Sequence, residues 1–255
     1  MAVVFDRRRY GKDNYVYLLA AGEDAALVDP GDADAALALA AAHGVRPRVV
    51  LHTHGHADHT GGTAEVARRL GATVAGAAGD AGWYRPDLDV AGAGELALGA
   101  LRLQVHDVPG HTPGSVLYAW EGRLLTGDTL FWGGAGNCRH GGDPGRLAES
   151  FLGVVARLDG ALEVHPGHDY AEANLPFALD LEPENGAARA RLEAVRAARA
   201  RGDEPSPSTL ADERRSNPFL RAEDLRPELL RRGMPCGDAR EAFVALRALR
   251  DRWRS

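Results

Sequence analysis

The segment Thr53-His54-Gly55-His56-Ala57-Asp58-His59-Thr60-Gly61-Gly62 places four metal-binding side-chain types within six positions. His54 and His56 are two residues apart, so in an extended loop both imidazoles point the same way and can hold one ion. Asp58 and His59 follow one turn later and can face a second ion beside the first. Imidazole suits zinc or iron, and an added carboxylate suits a hydrolytic site that keeps one position open for water. The cluster lies where the short apolar stretch Arg48–Leu51 gives way to a helix. Ligand sites in α/β sheets lie beyond such carboxyl ends of strands. A lone histidine there would be unremarkable; four ligand types flanked by a glycine pair argue for a site.

Three further polar residues stand in turn contexts at predicted strand ends. They are His111 in Gly110-His111-Thr112-Pro113-Gly114, Asp128 in Thr126-Gly127-Asp128-Thr129, and His168 in Pro166-Gly167-His168-Asp169-Tyr170. Each alone reads as a turn former or a helix cap. Together they complete a ligand count: three histidines for one ion, Asp58, His59 and His168 for another, and Asp128 between the two. Two divalent ions about 3.5–4 Å apart clamp a bridging hydroxide and polarise a carbonyl oxygen.

The elements that must position these residues follow from the apolar pattern. Asn14–Ala20 and Ala25–Asp29 read as strands around a turn at Ala21–Asp24, and Asp32–His43 as a helix stopped by Gly44. A helix over Thr63–Leu70 ends at Gly71; Leu96–Asp107 and Ser115–Phe131 alternate like hairpin strands. Pro144–Leu158 is helical, and Leu162–Val164 is a last short strand. Beyond Tyr170 the character changes to helices dense in Ala, Leu and Arg at Ala187–Arg201 and Asp238–Trp253, separated by a Pro/Ser-rich connector at Glu204–Leu210. The reading is a mixed α/β catalytic domain over residues 1–172 and a small helical, substrate-binding domain over residues 173–255.

Composition narrows the function classes. Thirty-six acids against thirty bases give a formal charge of −6 with no long block of either sign, which is no nucleic-acid footprint. No apolar run approaches the roughly 20 residues of a membrane span. The N-terminus lacks the apolar stretch of a secretory signal, and two cysteines, Cys138 and Cys236, cannot build a disulfide scaffold. The expectation is a cytoplasmic enzyme, a monomer or small homo-oligomer, without a nucleic-acid or membrane partner.

The metal-type residues, in this order, resemble the metallo-β-lactamase-fold hydrolases. Asp13-Asn14-Tyr15 with Leu27-Val28-Asp29-Pro30, Gly167-His168-Asp169-Tyr170, and Pro207-Ser208-Thr209-Leu210 with Asn217-Pro218-Phe219-Leu220-Arg221 resemble more narrowly the glyoxalase II, or hydroxyacylglutathione hydrolase, family. The resemblance implies an α/β fold, a four-layer αββα sandwich with a small C-terminal helical domain and the site at one edge. It assigns His54, His56 and His111 to the first metal, Asp58, His59 and His168 to the second, and Asp128 to the bridge. The ions implied are two divalent metals, zinc first, with iron and manganese compatible.

The activity implied is hydrolysis of an S-acylglutathione, such as S-lactoylglutathione, to a hydroxy acid and glutathione by a metal-bridging hydroxide that Asp58 orients. The thiolate leaving group has a conjugate acid near pKa 8.5 and needs no dedicated general acid. Arg139, Tyr170 and Arg221 match the family's contacts to the peptide, whose two carboxylates call for cationic or hydrogen-bonding partners. The loop Gly133–Asp143 departs from the family pattern, with His140 and Gly141 where aromatics are expected, and Asp224 replaces a second base after Arg221. The alternative on the same fold is a persulfide dioxygenase with one iron, against which the helical tail argues.

Overall fold

The computed structural model describes residues 3–253. Its first sheet opens as an antiparallel meander of β1 (Val3–Tyr10), β2 (Asn14–Ala21) and β3 (Asp24–Val28). It continues in parallel through β4 (Val49–Leu51), β5 (Thr73–Gly76) and β6 (Leu88–Asp89). Parallel neighbours need crossovers. Helix α1 (Ala33–Ala42) supplies the first; α2 (Ala57–Thr60) and α3 (Thr63–Leu70) supply the second. Asp32 caps α1 by accepting from Ala35 N–H at 2.8 Å, and Gly71, at φ +68°, ends α3 in the left-handed conformation that glycine adopts without strain.

The second sheet runs β14-β13-β10-β9-β8-β7. It is built from β7 (Glu95–Leu98), β8 (Leu101–Asp107), β9 (Val116–Trp120), β10 (Arg123–Gly127), β13 (Glu163–Pro166) and β14 (Ser208–Thr209). The hairpin of β11 (Leu130–Phe131) and β12 (Gly134–Ala135) follows β10, and α4 (Pro144–Gly153), capped by Asp143, precedes β13. The tail holds α5 (Ala171–Leu181), α6 (Gly186–Ala200), α7 (Leu210–Ser216), α8 (Arg226–Arg231) and α9 (Ala239–Arg252).

Side-chain alternation makes the layers. Along β2, Tyr15, Tyr17 and Leu19 enter the core between the sheets, while Val16 and Leu18 meet Leu39 of α1 and Val66 of α3 on the other face. A strand covered on both faces reads as a continuous apolar run, as β2 does. Leu147 and Phe151 of α4 and Phe243 of α9 join the main core from the second sheet's side. The result is the αββα arrangement with helices from the tail added. No helix among the described residues is long and apolar enough to cross a membrane.

Two differences from the sequence reading have physical causes. The eight-residue strand β1, with the run Asp6-Arg7-Arg8-Arg9, lacks an alternating apolar signal because it is a half-buried edge strand held by its ladder with β2. The Pro/Ser-rich connector contributes β14, which pairs antiparallel with β13, so the tail completes the second sheet.

The tail is fastened to the β11–β12 hairpin by buried polar contacts. Glu213 of α7 accepts from Gly133 N–H at 2.8 Å, from Asn217 Nδ2 at 3.0 Å and from the Ser208 hydroxyl at 2.5 Å. Asn217 also donates to the Phe131 and Gly134 carbonyls, and Arg247 of α9 donates to Ala135 O at 2.7 Å. Removing a buried acceptor leaves each donor to bear its own desolvation cost, about 1–3 kcal/mol apiece. Glu213→Ala is therefore expected to lower stability by about 2–4 kcal/mol, with Glu213→Gln losing less; denaturant unfolding of the two variants checks this.

Candidate metal centre

Every residue with metal chemistry follows the carboxyl end of a strand. Asp29 follows β3, His54–His59 follow β4, His111 lies beyond β8, Asp128 follows β10, and His168 follows β13. Parallel pairing of β3 with β4 and of β10 with β13 brings those ends to the same edge of each sheet. Main-chain bonds then tie the two edges together: Val116 N–H donates to Thr53 O at 2.8 Å, and Tyr15 N–H donates to Gly167 O at 2.9 Å. Glycines make room at the join. A Cβ on Gly167 would lie 2.5 Å from Asp128 Oδ1 and 2.6 Å from His59 Cε1, and one on Gly136 would lie 2.0 Å from Asp128 O.

The edge gathers six of the seven predicted residues into two triads, with the seventh between them. Ligand atoms of His54, His56 and His111 lie within 4.8 Å of one another, and so do those of Asp58, His59 and His168. Asp128 stands between them: Oδ1 is 3.3 Å from His59 Nε2, and Oδ2 is 3.6 Å from His111 Nε2 and 3.4 Å from His168 Nε2. Ring nitrogens face each other at 2.9 Å for His56 Nδ1 and His111 Nε2, and at 3.1 Å for the Nε2 atoms of His59 and His168. His54 Nε2 and Asp128 Oδ1 are buried without a hydrogen-bond partner. Converging nitrogens beside an orphaned buried nitrogen and oxygen are what a cation would satisfy. The donor set, imidazoles with carboxylates, therefore fits divalent metal ions.

The two triads differ in charge. Burial holds His54 well below its ordinary pKa and pushes His111 down to about 4, with Asp128 opposing and His56 reinforcing. These two offer neutral rings. At His59 burial works against the charge, yet Asp128 and Asp29 outweigh it and push the ring up to about 10. His168 rises to about 11 in the same way, under Asp128, Asp58 and Asp13. The hydrogen bond from His168 holds Asp58 below the usual carboxylate range, and His168 with His59 overcomes burial to hold Asp128 well below it.

A second set of residues aims the rings, and the sequence reading assigned it no role. Asp29, buried and at φ +52°, accepts from Thr53 N–H at 2.9 Å and the Thr53 hydroxyl at 2.6 Å. Its carboxylate also meets His59 Nδ1 at 3.3 Å and His52 Nδ1 at 3.6 Å. Asp13 Oδ1 meets His168 Nδ1 at 2.9 Å, and His111 Nδ1 donates to Asn137 O at 2.6 Å. Partners on the far nitrogen fix tautomer and ring orientation. The one local signal for Asp29 was its place between a strand end and Pro30.

The cluster lines the floor of a cavity of about 440 Å³, which also touches Trp83, Phe131, Asn137, His140 and Tyr170. A neighbouring cavity of about 300 Å³ shares Phe131, Asn137 and Tyr170 and is walled by Arg139, Arg247 and Arg250. Of the three expected peptide contacts, Tyr170 stacks on His168 at 4.7 Å and 7°, and Arg139 lines the second cavity while bonding Asp251 O. Arg221 lines neither; its guanidinium clasps Glu182 at 2.7 and 2.9 Å and meets Asp224 at 3.4 Å. Arg250 of the last helix lines the second cavity, a residue the sequence reading passed over.

Comparison with known proteins agrees with this geometry. Residues 9–168 match the metallo-beta-lactamase superfamily, and residues 169–253 match the family described as hydroxyacylglutathione hydrolase C-terminus. A hydroxyacylglutathione hydrolase of Anaeromyxobacter dehalogenans (strain 2CP-C) is 73% identical over 255 residues, covering 98% of this chain and 100% of that protein. Among solved structures, ETHE1 from Myxococcus xanthus is similar with a TM-score of 0.69 at 25% identity, over 98% of this chain and 90% of that one. TTHA1623, solved in a di-iron-bound form, has a TM-score of 0.60 at 28% identity, over 81% of this chain and 95% of that one. The chain is thus an enzyme of the hydroxyacylglutathione hydrolase family, built on the metallo-β-lactamase fold.

Proposed function

We propose that the enzyme cleaves S-acylglutathione thioesters such as S-lactoylglutathione, releasing a hydroxy acid and glutathione. The observation that carries this reading is the adjacency of the two cavities: they share Phe131, Asn137 and Tyr170, and beyond these Arg139, Arg247 and Arg250, with Asp251 among them, line the second. Two divalent ions are proposed, zinc first, with iron and manganese compatible; His54, His56 and His111 would hold one, Asp58, His59 and His168 the other, and Asp128 both. When bound, such ions supply Lewis acidity, bringing the pKa of water from 15.7 to about 7 and polarising a carbonyl oxygen.

The chain's own residues do the rest. Asp58 is half exposed to the cavity, so its carboxylate can accept a hydrogen bond from the attacking water and aim it at the thioester carbonyl. Asn14 Nδ2 donates to Asp58 Oδ2 at 3.2 Å and so holds that carboxylate, while Tyr10 OH donates to the main-chain carbonyl of Asp58 at 2.6 Å. The sulfur leaves as a thiolate whose conjugate acid lies near pKa 8.5, so no acid is required. Burial pushes the Cys138 thiol up to about 12, which keeps it protonated and out of the nucleophilic step. Burial and nearby carboxylates raise Tyr170 well above its ordinary pKa, so its hydroxyl stays a donor beside the substrate. Residues 173–255 would act as the carrier-binding unit: Arg250 faces Arg139 and Tyr170 across the second cavity, where the peptide's carboxylates find guanidinium partners. The one-iron dioxygenase is not favoured, because the hydrolase-family tail forms this wall.

The decisive measurement is kcat/KM for S-lactoylglutathione against a matched thioester lacking the glutamyl and glycyl arms; equal rates would remove the glutathione assignment. Arg139→Ala and Arg250→Ala should each raise KM for the glutathione ester about 10–100-fold, the worth of a charge-assisted hydrogen bond, while Arg221→Ala should move it little. Asp58→Asn should lower kcat by at least about 100-fold, read by steady-state kinetics with metal content measured in parallel. Metal ligands must be deprotonated. Because Asp128, Asp29, Asp58 and Asp13 favour the protonated forms of His59 and His168, loading should release at least one proton per chain. Titration calorimetry in two buffers of different ionisation enthalpy measures that number.

A further inference from the structure

Trp83 is a large aromatic that the fold leaves 42% exposed, at the metal-type cluster rather than on an outer face. Its place is built. Trp83 N–H donates to Asp80 O at 2.9 Å. Asp80 is fully buried and accepts from the Thr112 hydroxyl at 2.6 Å and from Gly114 N–H at 2.7 Å, in the loop that also carries His111. The indole lies in a slot between two glycines. A Cβ on Gly55 would sit 2.9 Å from Trp83 Cε3, and one on Gly141 would sit 2.9 Å from Cη2. Its edge-on neighbour is His56, at 5.7 Å and 87°.

The ring therefore marks one end of the cavity and Tyr170 the other. Tyr170 stacks on His168 of one triad and borders the arginine-walled cavity; Trp83 packs on His56 of the other triad and borders only the larger one. Given the reading above, on which this step rests, the carrier enters past Tyr170 and the carbonyl lies over the cluster. The acyl substituent is then directed towards Trp83. We infer that Trp83, with Ala57 and His140 beside it, forms the acyl subsite, and that this subsite selects acyl groups bearing an aryl substituent. An exposed indole offers such a group a flat apolar partner, whereas a methyl substituent would cover little of it.

The test compares S-acetyl-, S-lactoyl- and S-mandeloylglutathione with the metal-loaded wild type, Trp83→Ala and Trp83→Phe. The expected result is that Trp83→Ala lowers the ratio of mandeloyl to acetyl kcat/KM about tenfold, mainly through KM, and that Trp83→Phe restores most of it. Mandelate should quench tryptophan fluorescence of the wild type, and this quench should vanish in Trp83→Phe. Equal losses for all three esters in Trp83→Ala, or no loss, would overturn the subsite, as would a quench that survives in Trp83→Phe. Failure of the wild type to turn over any of the three esters would sink the thioesterase reading instead, and the fluorescence titration would still decide the subsite.

Discussion

Buried imidazoles and carboxylates converging at one sheet edge are the constraint on which this structure depends. Each ring needs a partner on its far nitrogen, and each carboxylate needs a positive neighbour, or the edge could not be buried at all. Asp29 is the keystone: Thr53 holds it by two hydrogen bonds, and it stays ionised because His52 and His59 overcome the effect of burial. From there the geometry propagates through His59 to Asp128 and His168, and through Thr53 to His54 at 3.1 Å.

Parallel pairing makes that convergence possible. A meander alone would have sent successive strand ends to opposite edges. The crossovers after β3, β4 and β10 return the chain so that Asp29, the His54–His59 run, Asp128 and His168 all leave their strands in one direction. Glycine at 136 and 167 is then a packing requirement, since side chains there would occupy the positions of the Asp128 oxygens and of the His59 and His111 rings.

The ligand-type residues were legible because their signal is local: two histidines two apart, glycines beside them, and polar residues where apolar strands stop. The residues that orient them were not, because Asp13 meets His168 across 155 positions and Asp29 meets Thr53 across 24. Among thirty basic residues the Asn-Pro-Phe-Leu-Arg segment singled out Arg221 and nothing local marked Arg250; the packing of α9 against the β11–β12 hairpin is what brings Arg250 to a cavity. The same holds for β1, whose arginines hide an edge strand. Fold class was readable from the order of apolar runs and turns, whereas β14 is set by a ladder with β13 that its Pro/Ser-rich sequence does not announce.

The tail's grip on the β11–β12 hairpin carries a consequence for the life of the molecule in a cell. The hairpin begins two residues after Asp128, and Glu213, Asn217 and Arg247 hold it from three separate tail positions. Translation delivers Glu213 and Asn217 before Arg247, so the last of the three holds comes only with α9. A chain ending before α9 has all seven ligand-type residues but holds the hairpin behind Asp128 through Glu213 and Asn217 alone. Such a chain lacks Arg247, Arg250 and Asp251, so the wall of the second cavity is completed only by the last helix.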